Sequence, residues 1–202
     1  LNNLTFTNRL GIAAGLDKNG DFIDSLGALG FGFIEVGTVT PLAQDGNPKP
    51  RIFRVFKENA IINRLGFNNK GVDYLVKKLE SRKYKGVVGV NIGANKESKG
   101  DKRITDYVEC FKKVYLLSDY ITINISSPNT PNLRDLHSKE NIYNLLKSLD
   151  SQRQSFNTKK PVFLKISPDE SPETLQIILD AVREFNISGL ILSNTTIDKS
   201  LL

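Results

Sequence analysis

Short apolar runs alternate along the chain with segments in which apolar residues recur at helical spacing. Residues 87–93 and 162–166 are mostly apolar and β-branched, which is typical of strands buried on both faces of a sheet. Residues 171–185 have helical periodicity, and Ser171 and Pro172 predict its start as N-cap and first-turn residues. The alternation predicts about six parallel strands covered by helices.

The expected elements follow one another regularly, apart from one long irregular stretch. Strands are expected at residues 10–15, 31–38, 87–93, 120–126, 162–166 and 189–193, and helices at 21–29, 72–82, 104–117, 139–153 and 171–185. A further short strand is expected at residues 4–7. Residues 41–69 are polar and rich in Pro and Gly, with a hairpin expected at 52–56 and 60–63. A loop of this length in a compact domain is usually functional.

Polar side chains recur where the expected strands end. The set is Lys18, Thr38, Asn91, Asn124, Ser127, Lys165, Asn194 and Thr195. In a (β/α)8 barrel such ends converge on one mouth, where active sites lie. We therefore expect an α/β fold, a TIM barrel of which the chain holds about the first six βα units; an open sheet is the alternative. No Gly-rich dinucleotide fingerprint and no Walker-type loop is present.

The segment Asn124-Ile-Ser-Ser-Pro-Asn-Thr-Pro131 is the most distinctive of these strand ends. Pro128 fixes its own φ and restricts Ser127, so a hydroxyl and two carboxamides are held at the tip of a buried strand. A carboxamide both donates and accepts hydrogen bonds, which suits a flat ligand with imide-like edges. An ordinary Asx-rich loop is the other interpretation.

Composition narrows the classes of protein that need to be considered. The 202 residues are 39% hydrophobic and 25% charged, as in a globular domain with a real core, and no apolar run reaches the length of a membrane span. The net charge of +6 is scattered over helix faces, without the aromatic and Arg clusters of a nucleic-acid binder. It could instead attract an acidic substrate, a phosphate-bearing cofactor or an anionic membrane. One Cys and one His argue against a metal site.

Two lysines and one asparagine carry the candidate chemistry. Lys165 ends an apolar strand and is either a Schiff-base lysine, a cation that faces a negative charge, or a side chain that reaches solvent. Lys18 could hold a carboxylate or phosphate, and Asn63 could bind a ligand or shape a loop. No carboxylate pair and no Ser-His-Asp set is apparent. The residues favour a planar, anionic ligand and an organic cofactor that supplies the hard chemistry.

Five stretches together resemble the class 2 dihydroorotate dehydrogenases, which are FMN-dependent and quinone-linked enzymes of pyrimidine synthesis. They lie in the family's order over almost the whole chain: residues 13–20 (AAGLDKNG), 37–41 (GTVTP), 62–69 (INRLGFNN), 124–131 (NISSPNTP) and 193–196 (SNTT). Ser127 separates the classes, because class 1 enzymes carry Cys there.

The resemblance implies a role for each matching residue. Ser127 would be the general base that takes a proton from C5 of dihydroorotate while hydride leaves C6 for the flavin N5, helped through a water by Thr130 and Phe67. The residues implied to bind dihydroorotate or orotate are Lys18, Asn63, Arg64, Leu65, Gly66, Phe67, Asn124, Asn129, Asn194 and Thr195. Those implied to bind FMN are Ala14, Gly15, Lys18, Thr38, Asn91, Asn124, Lys165 and Ser193.

Three residues depart from the family pattern without removing a catalytic group: Asn132 for Gly, Ala94 for Lys and Ser193 for Thr. The larger departure is length. We expect residues 1–202 to be a partial FMN-binding barrel domain, with the family's N-terminal membrane-docking helices before Leu1 and its last barrel strands beyond Leu202. Alone, such a chain should neither close the barrel nor hold FMN tightly. The parent protein is expected to be peripheral on the inner (cytoplasmic or mitochondrial) membrane and to bind no nucleic acid.

Three other interpretations remain open at this point. The first is a class 1-like flavin dehydrogenase that acts on a related pyrimidine, against which Ser127 argues. The second is a Schiff-base aldolase-type lyase that uses Lys165. The third is a non-catalytic barrel remnant that serves as a binding surface.

Overall fold

The computed structural model describes residues 4–126, 138–198 and 200. The strands are β1 (Gly11–Ile12), β2 (Phe33–Val39), β3 (Ile52–Val55), β4 (Ala60–Asn63), β5 (Val87–Ile92), β6 (Tyr120–Asn124), β7 (Val162–Ile166) and β8 (Gly189–Leu192). The helices are α1 (Ile23–Gly27), α2 (Val72–Ser81), α3 (Asp101–Val114), α4 (Lys139–Gln154) and α5 (Pro172–Glu184).

Six of these strands form one parallel sheet in the order β1-β2-β5-β6-β7-β8. Each strand pairs with the one before it in the sheet, and helices connect them. A doubly wound sheet would reverse its direction of growth partway, whereas this one grows in a single direction, as successive units of a (β/α)8 barrel do. The prediction of about six parallel strands with helical crossovers is confirmed.

The core lies between the sheet and the helices. Ile34 and Val36 of β2 and Val88 and Val90 of β5 are fully buried. Apolar side chains of α2, α3, α4 and α5 join them in one continuous cluster, and neighbouring helices pack against one another. Because β-strand side chains alternate between faces, the remaining positions of the same strands point to the other side of the sheet, where the polar groups lie.

The hairpin expected in the long irregular stretch is confirmed. β3 and β4 pair antiparallel from Ile52 opposite Asn63 to Val55 opposite Ala60. A bridge between Gln44 and Asn69 brings the two ends of the stretch together, and Asn95 Nδ2 donates to Gln44 Oε1 at 2.9 Å and so ties them to the segment after β5.

Several expected elements differ from the structure in extent, among them the strand expected at 10–15, of which only β1 (Gly11–Ile12) forms. Residues 4–7 form no strand, because an alternating pattern alone does not place a segment beside another strand; Phe6 packs edge-on against Phe33, with ring centroids 5.5 Å apart. The helix expected at 104–117 is α3, which begins at Asp101 because its first turn is polar and invisible to apolar periodicity. The helix expected at 21–29 is the shorter α1. The N-cap at Ser171 and Pro at the helix start are as predicted.

None of the helices in the described part of the chain combines the length and the apolar character that a bilayer crossing requires.

Candidate functional site

A cavity of about 510 Å³ lies at the carboxyl ends of the parallel strands. It is bounded on one side by these strand ends and on the other by the β3–β4 hairpin and the loop after it. The residues that line it are Ala14, Gly15, Lys18, Thr38, Ile52, Arg54, Ile61, Asn63, Leu65, Gly66, Phe67, Asn124, Lys165, Ser193, Asn194 and Thr195.

Most of the residues singled out in the sequence come together here, although they come from six separate stretches of chain. Asn91 is fully buried behind the cavity wall and contacts lining residues. Arg64 is not part of the lining: its guanidinium donates to the Pro50 carbonyl at 3.0 and 3.2 Å and lies over the Phe53 ring. The predicted residues Ser127, Asn129 and Thr130 lie outside the described residues.

The loop that carries Lys18 is fixed by backbone hydrogen bonds and one buried carboxylate. Gly15 N–H donates to the Gly37 carbonyl at 2.8 Å, and Gly37 N–H donates to the Asp17 carbonyl at 3.1 Å. The Asp17 carboxylate, 2% exposed, accepts the backbone N–H groups of Asp21 and Phe22. At Gly15 the φ of 115° suits glycine, and no atom lies within 4 Å of where a Cβ would stand. Backbone is therefore open to a ligand at this point.

Lys18 has unusual electrostatics for a surface loop. Its partial burial, together with the positive charge of Arg51, lowers the pKa of its ammonium to about 8. No hydrogen bond or ion pair joins that ammonium to any residue in the described part of the chain. An anion placed beside Lys18 would restore a normal pKa, so this position is well suited to a carboxylate or phosphate.

Lys165 is a second cation at the cavity and is nearly buried, at 8% exposure. It lies near the end of β7, in register with Asn124 on one side and Ile191 on the other. Among the described residues, none forms an ion pair or hydrogen bond with its ammonium. A buried ammonium is stabilised by a negative group beside it, so this position is suited to a negatively charged ligand group.

Amide and hydroxyl side chains form a hydrogen-bonded chain across the strand ends, which we name the amide relay. Thr38 Oγ1 donates to Asn91 Oδ1 at 2.6 Å, and Asn124 Nδ2 donates to Asn91 Oδ1 at 3.1 Å and to Thr38 Oγ1 at 3.0 Å. Asn124 Oδ1 accepts the Ser126 hydroxyl at 2.7 Å, and Ser126 Oγ accepts Asn194 Nδ2 at 3.0 Å. The relay thus joins β2, β5, β6 and the segment after β8 into one rigid polar wall.

Phe67 also lines the cavity, and its backbone has a conformation that a bulky residue rarely adopts. Its φ is 53° and its side chain is 6% exposed. Its carbonyl accepts Asn69 Nδ2 at 2.7 Å and Gln44 Nε2 at 3.2 Å. Such backbone strain persists where the surroundings over-determine it and is concentrated at functional sites.

Sequence reasoning missed two groups at this site. Ile52, Arg54 and Ile61 of the hairpin line the cavity, although only the length of their loop hinted at function. Glu35 is buried and accepts a hydrogen bond from Asn91 of the amide relay. The sequence feature that could have identified it is an acidic residue inside an otherwise apolar strand.

The arrangement can bind a flat, anionic, hydrogen-bonding molecule. It offers two ammonium groups, several carboxamides, and backbone at Gly15 that a ring can approach closely. No cluster of three or more His, Cys, Asp or Glu side chains that could hold a metal ion occurs among the residues that the structure describes.

Comparison with known proteins agrees with this chemistry. The family model for dihydroorotate dehydrogenase matches residues 1–202. A relative from Saccharophagus degradans, named dihydroorotate dehydrogenase (quinone), is 52% identical over 97% of this chain and 59% of its own length. A relative of the same name from Buchnera aphidicola is also 52% identical, over 98% of this chain and 60% of its own length.

A solved structure shows the same fold. The DHODH of Eimeria tenella, crystallised in complex with ferulenol, has a TM-score of 0.88 and 38% identity over 97% of this chain and 58% of that one. The fold predicted from the sequence, about six units of a TIM barrel, is therefore confirmed. The chain spans about 60% of the length of the curated relatives it matches. On the strength of the full-length family match and these relatives, the chain belongs to the dihydroorotate dehydrogenase family.

Proposed function

We propose that this chain supplies the substrate-facing part of a quinone-dependent dihydroorotate dehydrogenase. The reaction is the oxidation of (S)-dihydroorotate to orotate in pyrimidine biosynthesis, with FMN and then a quinone as electron acceptors. The observation that carries the proposal is the convergence of Lys18, Lys165 and the amide relay on one cavity in a chain of this family.

The residues present fit FMN. Gly15 leaves backbone open to a ring, Thr38 and Asn124 offer polar edges, and Lys165 provides a buried positive charge that lacks a partner among the described residues. The residues that would hold FMN are Ala14, Gly15, Lys18, Thr38, Asn91, Asn124, Lys165 and Ser193. When bound, FMN supplies the hydride acceptor that no amino-acid side chain can provide. Lys165 would stabilise negative charge on the bound flavin, as the hydrogen-bond donors of an oxyanion hole do for an oxyanion.

Orotate and dihydroorotate carry a carboxylate and a ring of amide groups, and both find partners here. Lys18 would bind the carboxylate, since an anion beside it restores the charge that burial disfavours. Asn63, Asn124 and Asn194 would bind the ring amides, with Thr195 beside them. Leu65, Gly66 and Phe67 would close the cavity against water. Arg64 would contribute indirectly, by bracing the hairpin.

Ser127 is proposed as the general base, whose hydroxyl removes the proton at C5 of dihydroorotate. The residue before it, Ser126, is fully buried and held by Asn124 and Asn194. A serine hydroxyl is a weak base, so Thr130 and Phe67 would assist it through an ordered water in a closed cavity. Asn129 would bind the substrate beside Ser127.

Quinone use and membrane association are proposed from the class of the relatives. The hairpin supports this proposal, because two of its large apolar side chains, Phe56 and Ile61, are 82% and 62% exposed. We propose that the family's N-terminal helices cover these side chains and hold the protein at the inner (cytoplasmic or mitochondrial) membrane. Dihydroorotate, orotate and a quinone are then its partners, and nucleic acid is not.

The test is the absorbance spectrum of the purified full-length protein between about 350 and 500 nm, before and after addition of dihydroorotate. We expect flavin bands that bleach with dihydroorotate, and bleaching in Ser127→Ala that is slower by about 100-fold or more. Ser148→Ala, at a partly buried position of α4 whose hydroxyl donates to the Asn144 carbonyl, is the control. A colourless protein, or flavin bands that dihydroorotate does not bleach, would refute the proposal. A borohydride-trapped adduct at Lys165 would favour the lyase instead.

A further inference from the structure

Two carboxamides outside the cavity lining hold the peptide groups on either side of Phe67. Gln44 Nε2 donates to the Gly66 carbonyl at 3.1 Å and to the Phe67 carbonyl at 3.2 Å. Asn69 Nδ2 donates to the Phe67 carbonyl at 2.7 Å, and Asn69 is only 7% exposed. Neither Gln44 nor Asn69 lines the cavity, and the proposed reaction gives them no role. We name these two residues the carbonyl clamp.

The orientation of the Asn69 amide is set by backbone groups. Its Oδ1 accepts the backbone N–H of Gly71 at 2.8 Å and that of Thr40 at 3.3 Å. Because a backbone N–H can only donate, the Nδ2 group must face the other way. There it donates to Thr40 Oγ1 at 2.8 Å and to the Phe67 carbonyl. All four hydrogen-bonding positions of this amide are therefore in use.

The Gln44 amide is oriented in the same way and connects the clamp to the sheet. Its Oε1 accepts the backbone N–H of Lys96 at 3.0 Å and Asn95 Nδ2 at 2.9 Å. The fixed backbone donor turns Nε2 towards the two carbonyls of the Phe67 loop. Asn95 and Lys96 belong to the segment after β5. The clamp therefore fixes the Phe67 loop relative to the carboxyl end of β5.

Holding both peptide groups determines the backbone conformation of Phe67. The φ and ψ angles of a residue are the rotations between the two peptide planes that flank it. The Gly66 carbonyl lies in one plane and the Phe67 carbonyl in the other, and the clamp donates to both. The φ of 53° is unfavourable for a bulky residue, so it persists only where the surroundings impose it. The clamp supplies that constraint.

The imposed conformation places the Phe67 ring over the end of β5. A Cβ added at Gly93 would stand 3.0 Å from Phe67 Cε2 and 2.8 Å from Thr38 Cγ2. Both side chains therefore cover the backbone of Gly93, and the ring lies beside a member of the amide relay. The ring is buried and lines the site cavity. A change in the backbone of Phe67 would displace this ring from the relay.

We propose that Gln44 and Asn69 are positioning residues, which act on the reaction by holding Phe67 against the strand ends of the site. The inference rests on the proposed function where it makes Phe67 assist Ser127 in removing the C5 proton. In that role the ring must stay in place to keep bulk water out of the cavity. The conformation that the clamp imposes on Phe67 does not depend on the reaction.

Asn69→Asp tests the clamp with almost no change in shape. The carboxylate keeps one oxygen for the N–H groups of Gly71 and Thr40, but places its second oxygen against the Phe67 carbonyl. Both of these oxygens only accept, so the contact becomes repulsive. The Thr40 hydroxyl can turn towards the new oxygen, because the Leu42 carbonyl that it leaves keeps another donor. The perturbation is thus concentrated at Phe67.

Two measurements on full-length Asn69→Asp decide the inference. A crystal structure should show Phe67 outside the left-handed region, with its ring displaced from Gly93. Stopped-flow absorbance at about pH 8, where a carboxylate that accepts backbone N–H groups is ionised, follows bleaching of the flavin by dihydroorotate. We expect the limiting rate to fall by about tenfold or more, since small displacements around a reacting centre are costly.

The rate distinguishes positioning from structural support. A variant that is merely less stable has fewer folded molecules, but each folded molecule reacts at the wild-type limiting rate. The dissociation constant for orotate should stay within about threefold of the wild type, because Lys18, Asn124 and Asn194 lie on other segments of the cavity wall.

Thr40→Val is the matched control. It removes the second acceptor of the Asn69 amide and a donor to the Leu42 carbonyl, but no contact of the Phe67 carbonyl. We expect this variant to be destabilised and to keep a limiting rate within about twofold of the wild type.

A second variant decides the inference if Asn69→Asp does not fold. Gln44→Glu keeps the oxygen that accepts from Lys96 and replaces the donor to the Gly66 and Phe67 carbonyls, at a half-buried position. The same displacement of the ring and a limiting rate lower by about threefold or more are expected.

Three results would each overturn the inference. They are a Phe67 φ that stays within about 20° of 53° in the clamp variant, a limiting rate within about twofold of the wild type, and equal slowing in Thr40→Val. A wild-type protein whose flavin is not bleached by dihydroorotate overturns the proposed function instead. The crystal structure, which needs no substrate, then still decides whether the clamp positions Phe67.

Discussion

The lowered pKa of Lys18 predicts that binding of orotate takes up a proton. In the free protein, burial and the charge of Arg51 bring the pKa of this ammonium to about 8, so the group is mostly charged at neutral pH and mostly neutral at about pH 9. A carboxylate about 4 Å away contributes about 4 kcal/mol at an effective dielectric constant of about 20, which is worth about three pKa units. The bound ligand should therefore return the pKa of Lys18 to near the ordinary lysine value of 10.5.

The size of the effect follows from these two pKa values. Below about pH 8 both the free and the bound protein carry a charged Lys18, so affinity is independent of pH there. Between about pH 8 and 10.5 only the complex is charged, and the affinity falls by about tenfold for each pH unit. Orotate should bind about tenfold more weakly at pH 9 than at pH 7, with uptake of close to one proton at about pH 9 and about 0.1 proton at about pH 7.

Isothermal titration calorimetry of the full-length protein, in two buffers of different ionisation enthalpy at each pH, measures both quantities. Lys18→Arg is the matched control, because a guanidinium stays charged throughout and should abolish the proton uptake. An uptake below about 0.3 proton at about pH 9, or equal uptake in wild type and Lys18→Arg, would refute the reasoning.

Three further predictions concern stability. Folding disfavours the charged form of Lys18, so the stability penalty is complete below about pH 8 and disappears as the pH rises to 10.5. In urea unfolding, Lys18→Met should therefore be more stable than the wild type up to about pH 8 and should lose this advantage by about pH 10.5. Gly37→Ala should lose about 3 kcal/mol or more of unfolding free energy, because its Cβ would stand 2.3 Å from the Asn91 carbonyl oxygen. Gly30→Ala, also at positive φ but with nothing within 4 Å, should lose only about 1 kcal/mol; equal losses would contradict the steric argument. Gln44→Ala should cost about 2 kcal/mol, since its side chain donates to two carbonyls of the Phe67 loop, and a loss under about 0.5 kcal/mol would exclude that role.

Much of the site could be predicted because strand ends are visible in sequence. Lys165 and Asn194 follow apolar runs whose length and β-branched content identify strands, and parallel strands place their carboxyl ends on one edge. The structure brings these residues together with Lys18, from the other edge of the sheet, in one cavity. This inference needed only the type and order of the elements, which local patterns determine.

The contacts of the long irregular stretch were not predictable in the same way. The hairpin itself was predictable, because the alternation of its residues and the length of its strands are local features of the sequence. Its position over the cavity depends on distant partners, such as the Gln44–Asn69 bridge and the donation from Asn95 Nδ2 to Gln44 Oε1 at 2.9 Å. Polar residues in a loop show no periodicity, so the sequence gives no sign of which of them pair. For the same reason Arg64 looked like a ligand-binding residue although it braces the hairpin.

Strand β2 shows why the polar interior was only partly visible. Strict alternation places Glu35 and Gly37 on one face and Val36 and Thr38 on the other. The structure keeps Val36 in the core but turns Thr38 inward to Asn91, and the register between β2 and β5 shifts between residues 37 and 39. An irregularity of this kind re-aims a side chain, and such irregularities are common next to active sites. Thr38 thus breaks the alternation of its own strand, and for this reason one set of hydrogen bonds, through Asn91, connects the Glu35 carboxylate with the wall of the cavity.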